Sequence, residues 1–144
     1  GFLVCSGFLV PRESIQKYAT APKDWQYWTA HILFYSIPAS SYFADTMPSP
    51  LMVAATMTAF IAGSGLFIWA RRSNPYFSPE IALPAEVVTD GAYDWLDHPG
   101  YAGMGLMATS TWLMIGHSLA VIPLAAYLTL LLWRARKESS LIYQ

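Results

Sequence analysis

The sequence predicts an all-α integral membrane protein of about four transmembrane helices, the last two closed into a tight helical hairpin. Three observations carry that expectation. The 144-residue chain is 55% hydrophobic and only 12% charged, where a soluble domain carries roughly a quarter charged residues. Its apolar residues run in uncharged blocks near the length needed to cross a hydrocarbon core of about 30 Å. Finally, all eight basic residues (Arg12, Lys17, Lys23, Arg71, Arg72, Arg134, Arg136 and Lys137) fall on one side of a four-span layout, as the positive-inside rule requires of the cytoplasmic face or its organelle equivalent.

Taken in order, residues 1–24 form an N-terminal segment beginning "GFLVCSGFLVPRES" without an initiating Met. Its apolar run is broken by Ser6 and Gly7 and lacks a basic leading region, so it does not read as an intact signal peptide. It reads either as the tail of a longer helix or as a processed mature terminus. Processing fits an organelle protein; the sequence does not name the organelle, and both the mitochondrial inner membrane and an endomembrane are compatible with it. The first span, "WQYWTAHILFYSIPASSYFA" at 25–44, lies between Asp24 and Asp45, and Pro38 should bend it. The second, "LMVAATMTAFIAGSGLFIWA" at 51–70, holds twenty residues without a charge. Gly63 and Gly65, with Ala59 and Ala62, offer it a small-residue face for close packing.

Residues 71–100 carry Pro75, Pro79, Pro84 and Pro99, which prevent one long helix. They should lie on the inner face as a proline-punctuated cover. From Tyr101 to Trp133 run 33 uncharged residues, about 50 Å as a single helix and too long for an ordinary bilayer. "GHS" at 116–118 breaks that run into a hairpin of two helices, and residues 134–144 leave it as an inner-face tail. One membrane domain accounts for the whole chain.

Composition also excludes functions. A formal charge of −1 gives no basic footprint for nucleic acid. The lone Cys5 rules out a disulfide framework and a multi-Cys zinc site, and no glycine-rich phosphate loop is present. His31 and His117 fall on opposite faces of the layout without partners at ligand spacing, so no metal site is expected. No Ser–His–Asp set or paired-carboxylate arrangement is visible. No span carries the pair of ionisable residues that a proton or ion relay needs.

The titratable chemistry instead gathers in "DGAYDWLDHPGYAG" (90–103) and "RARKE" (134–138), the two mouths of the hairpin. Pro99 suits the first position of a helix, with Asp97 or His98 as its cap. That local pattern is the ordinary one for a helix start. It also turns an imidazole and helix-start N–H groups toward any anionic part of a ligand. Tyr93 and Tyr101 read either as interface anchors or as walls of an aromatic pocket. Arg134, Arg136 and Lys137 suit a helix C-terminus on the inner face, and Glu138 beside them offers a carboxylate to a ligand cation or ribose.

"VTDGAYDWLDHPGYAG" resembles the membrane-embedded methyltransferases of the isoprenylcysteine carboxyl methyltransferase and phospholipid methyltransferase group. Their segment reads G-x-Y-R-x-x-R-H-P-x-Y-x-G before a helical hairpin, and the likeness runs through Gly91, Tyr93, His98, Pro99, Tyr101 and Gly103. "WARRSNPYFS" (69–78) is similar to the family's Trp-Ala-Arg segment, and "RARKESSLIYQ" (134–144) to its arginine, paired-glutamate and Leu-Ile-x-Gln tail. The resemblance covers about residues 51 to 144. It implies S-adenosylmethionine as cofactor, bound by His98, Tyr101 and Glu138 with Tyr93 and Arg134, and a lipid-like or prenylated acceptor arriving from the membrane. The chain departs from the pattern in three places. The family's two arginines fall on Asp94 and Asp97, its first tail glutamate falls on Lys137, and the chain stops where the family continues. Two functions follow: an S-adenosylmethionine-dependent methyltransferase, or a methyltransferase-like accessory subunit of a larger membrane complex, such as a mitochondrial one, whose site is silent.

Overall fold

A computed structural model describes residues 25–43, 48–74, 77 and 87–142. The expectations for residues 1–24, for Asp45 and for Pro75, Pro79 and Pro84 lie outside these. Among the described residues every regular element is helical: α1 (Trp25–Ala39), α2 (Pro50–Ser73), α3 (Pro99–Ile115) and α4 (Val121–Ile142), with short 3₁₀ turns at Ser40–Phe43, Gly91–Asp94 and Ser118–Ala120.

The ends of the helices follow local chemistry. The Met52 N–H donates to Ser49 Oγ at 3.3 Å, and Pro50 opens α2. Pro38 lies in the last turn of α1, which ends one residue later and tightens into the 3₁₀ turn. Gly116 closes α3 at φ +67, its N–H donating to Trp112 O at 2.9 Å. That left-handed conformation favours glycine, and it reverses the chain within a few residues. His117 then caps the following turn, its Nδ1 accepting from the Leu119 N–H. The break expected at 116–118 is therefore a true hairpin. α4 extends past its apolar part, through the charged tail to Ile142, as a half of the hairpin too short to span by itself requires.

Among the described residues two stretches, Pro50–Ser73 and Ser118–Leu141, are long and apolar enough to cross a membrane. Their surface supports that reading. Leu51, Met57, Ile61 and Trp69 of α2, and Ile122 and Leu132 of α4, are exposed, a pattern that suits lipid rather than water. Hydroxyls within the helices are turned back on their own backbone: Thr56 donates to Met52 O, Ser64 to Phe60 O, Ser110 to Leu106 O and Thr129 to Ala125 O. A hydroxyl with no water to bond needs such a partner. Trp25, Trp28, Trp69, Trp95 and Trp133 sit at or near the helix ends that also carry the basic residues, whereas Trp112 lies near the opposite end of α3. Such a belt marks one membrane–water interface.

Packing sets the relation between the helices. α2 lies on α3 with the backbones almost touching. A Cβ on Gly103 would fall 2.6 Å from Gly63 O, and one on Gly63 would fall 2.8 Å from Gly103 O. Gly63 thus serves the close contact expected of it. Gly65 does not: its side of α2 is open, with nothing within 4 Å of a Cβ placed there. The main apolar core joins Ala30 and Ile37 of α1, Ala108 and Ile115 of α3, and Leu124, Tyr127 and Leu131 of α4. The Phe34 and Tyr127 rings meet at 5.6 Å within it.

Gly63→Ala and Gly103→Ala should each destabilise the detergent-solubilised protein by about 1–3 kcal/mol, the usual cost of overpacking. Gly65→Ala should be neutral or gain up to about 1 kcal/mol from helix propensity. Thermal unfolding of the three variants checks the difference.

Candidate functional site

The hairpin brings the first turn of α3 beside the last turns of α4. Arg134 and Glu138 are one helical turn apart and share a face of α4. His98 immediately precedes α3, and Tyr101 lies in its first turn. The side chains meet. Tyr101 Oη donates to Glu138 Oε1 at 2.5 Å, and Arg134 Nε donates to Tyr101 Oη at 3.3 Å. His98 Nδ1 is 3.7 Å from Glu138 Oε2, an ion pair when the imidazole is protonated. The other ring nitrogen, Nε2, shares a 2.8 Å hydrogen bond with Ser139 Oγ.

The cluster is graded from inside to outside. Arg134 is 5% exposed and forms the floor. The His98 and Glu138 side chains, at 22% and 25%, form a rim. A guanidinium at that depth needs a negative partner nearby, and the Glu138 carboxylate reaches it through the Tyr101 hydroxyl. His98 occupies the capping position of α3, but its imidazole makes no capping bond. It reaches across to Ser139 and Glu138 instead, and neither it nor Asp97 serves as the side-chain cap expected there.

Tyr93 lies in the 3₁₀ turn at Gly91–Asp94 and joins the cluster only indirectly. Asn74 Nδ2 donates to its hydroxyl at 3.2 Å, while the Ala92 N–H donates to Ser73 Oγ at 3.2 Å. These two bonds pin the turn at 91–94 to the end of α2. Gly91 permits the approach: it sits at φ +64, and a Cβ there would collide with Ser73 Oγ. Burial pushes the Tyr93 phenol above its usual range; the Asn74 hydrogen bond opposes the rise and the negative charge of Glu138 adds to it. On the neighbouring turn of α2, Arg71 folds inward over the Phe77 ring at 5.5 Å while Arg72 stays exposed.

Of the five residues the sequence singled out, four form one connected group and the fifth flanks it. Asp94, Asp97 and Lys137 are all exposed, and Lys137 Nζ lies over the Trp133 ring at 5.1 Å. None of the three points into the cluster. Ser139, Ser73 and Asn74 were missed. A serine one residue past a candidate carboxylate carries no pattern of its own, and only the helical continuation of α4 reveals it.

Residues 56–144 match the model of the isoprenylcysteine carboxyl methyltransferase (ICMT) family. No curated protein and no solved structure matches the chain. The family match spans well over half of the sequence and contains the whole cluster, so the chain belongs to the isoprenylcysteine carboxyl methyltransferase family.

Tyr101→Phe should cost about 1–3 kcal/mol, because it leaves a buried guanidinium and a carboxylate without their shared partner. Ser139→Ala should cost less, about 0.5–1.5 kcal/mol, since the His98 imidazole at the rim can turn to water. A double-mutant cycle of Tyr101→Phe with Glu138→Gln should show coupling of at least about 0.5 kcal/mol in thermal unfolding.

Proposed function

We propose that this member of the isoprenylcysteine carboxyl methyltransferase family binds S-adenosylmethionine between the start of α3 and the end of α4, and methylates a carboxylate carried by a membrane-borne or prenylated acceptor. The observation that carries this reading is the meeting of His98, Tyr101, Arg134 and Glu138 across the mouth of the hairpin.

The donor set suits the cofactor. Its amino-acid end bears a carboxylate and an ammonium, and the cluster offers a buried guanidinium and a carboxylate beside it. A phenolic hydroxyl lies between them, able to bond either way. When bound, S-adenosylmethionine supplies an electrophilic methyl carbon on a cationic sulfur. Arg134 would hold the cofactor's carboxylate, and Glu138 its positively charged part. The bonds tying the turn at 91–94 to Ser73 and Asn74 hold that turn against the end of α2, beside the start of α3.

A carboxylate acceptor is already ionised, so no residue of the chain has to remove a proton. Alignment of donor and acceptor supplies much of the rate in such a transfer. A group whose side chains all serve to hold the cofactor is therefore compatible with activity. The exposed apolar faces of α2 and α4 leave lipid-like acceptors a path through the bilayer.

Charge favours a second reading, in which the chain is a silent accessory subunit of a membrane complex. Asp94, Asp97 and Lys137 invert the family's charges. Their exposure weakens the objection, because exposed pairs are worth only about 0–1 kcal/mol.

Calorimetry with S-adenosylhomocysteine on the detergent-solubilised protein separates the two. The enzyme reading expects micromolar binding by the natural chain, a loss of at least about tenfold in Arg134→Leu, equivalent to about 1.4 kcal/mol, and a change below about fivefold in Asp94→Arg/Asp97→Arg. Binding that emerges only when both aspartates are replaced by arginine would contradict the enzyme reading and show a silent cofactor site, as the accessory reading expects.

A further inference from the structure

α1 lies outside the residues that match the family, yet one of its side chains has the features of a ligand contact. Gln26 is only 7% exposed, and its Oε1 has no hydrogen-bond partner. Buried polar atoms are nearly always paired, so an orphaned amide oxygen at this depth requires a reason. Trp112 Nε1 is likewise buried and unpaired, but it lies one turn from Gly116, at the end of α3 remote from the polar cluster.

Register puts Gln26 at the level of that cluster. Ile37 near the end of α1 shares the core with Ile115 and with Leu124 near the start of α4, and α1 also touches the 118–120 turn from which α4 departs. The two helices therefore run antiparallel. The contact of the Phe34 and Tyr127 rings fixes their alignment. From Phe34 back to Gln26 is about 12 Å along α1, and from Tyr127 forward to Arg134 is about 10 Å along α4, both at 1.5 Å per residue.

The faces agree as well as the levels. Gln26, Ala30 and Ile37 are the buried positions of α1, spaced so that they lie on one side of the helix. On α4, Leu124, Tyr127, Leu131 and Arg134 are buried on one stripe, which Glu138 continues. Each stripe is apolar at the far end and turns polar at the inner end. On α4 the polar groups there have partners; on α1 the amide oxygen has none.

We infer that Gln26 is a ligand-contacting residue of the site proposed above, its Oε1 accepting a hydrogen bond from an N–H or O–H donor of the bound cofactor. The inference rests on that reading, and it makes α1 the third helix of the site. Such a residue has a recognisable signature. An unpaired polar atom weakens the unliganded protein, so an apolar side chain of similar shape should relieve the unliganded state while removing a contact from the liganded one.

The test is calorimetry with S-adenosylhomocysteine, together with thermal unfolding without ligand, on the full chain and its Gln26→Met and Gln26→Leu variants. At least one variant should bind tenfold or more weakly while its unliganded Tm is unchanged or raised. A parallel loss for 5′-methylthioadenosine would put the donor on the nucleoside; a loss confined to S-adenosylhomocysteine would put it on the amino-acid end. Unchanged affinity in both variants would overturn the inference and leave the proposed site standing. So would a fall in Tm matching the fall in affinity, which would make Gln26 a packing residue. Absence of binding by the natural chain would overturn the proposed site itself and the role of Gln26 with it.

Discussion

A polar group in a lipid-facing bundle has to find its partner inside the protein, and the rest of this structure depends on that constraint. Within the helices it is met locally, by hydroxyls bonded to carbonyls one turn back. Groups too polar for that solution are gathered at one end, where the chain meets water. The hairpin at Gly116 makes the gathering possible. By reversing the chain at the far side, it returns α4 to the level at which α3 began, and so sets Arg134, Glu138 and Ser139 against His98 and Tyr101.

The close approach of α2 and α3 serves the same arrangement from the other side. Gly63 against Gly103 brings the end of α2 near the start of α3, within reach of the turn at 91–94. Ser73 and Asn74 can then pin the turn at 91–94, and Gly100 can pack under the Phe77 ring, where a Cβ would lie 3.0 Å from it. A buried cation, a carboxylate at the rim and a hydroxyl joining them form a low-dielectric polar group in which each member depends on the others. Such a group is suited to hold a small ligand that carries both signs of charge. The same interdependence makes an unpaired amide on α1 informative.

Much of this was legible in the sequence because it rests on periodicity and on the backbone habits of a few residues. Uncharged runs mark the long helices, Pro99 opens α3, and the glycine of "GHS" closes it. The motif positions His98, Tyr101, Arg134 and Glu138 converge because any antiparallel hairpin would bring them to the same end. What was hidden depends on rotation and on exact helix ends. Gly63 and Gly65 read alike as small residues, yet only one faces α3. Asp94 and Asp97 looked like intruders in a binding motif, yet both side chains are exposed. Ser139 and Gln26 belong to no pattern; the first depends on α4 continuing past Trp133, and the second on the register of α1 against α4.

The most direct test of the central account, that the two ends of the hairpin form a ligand site, is photolabelling of the detergent-solubilised protein with 8-azido-S-adenosylmethionine followed by peptide mapping. The account predicts label on peptides containing residues 98–101 or 134–139, suppressed by excess S-adenosylhomocysteine. Label confined to other segments, or label that S-adenosylhomocysteine does not suppress, would contradict it.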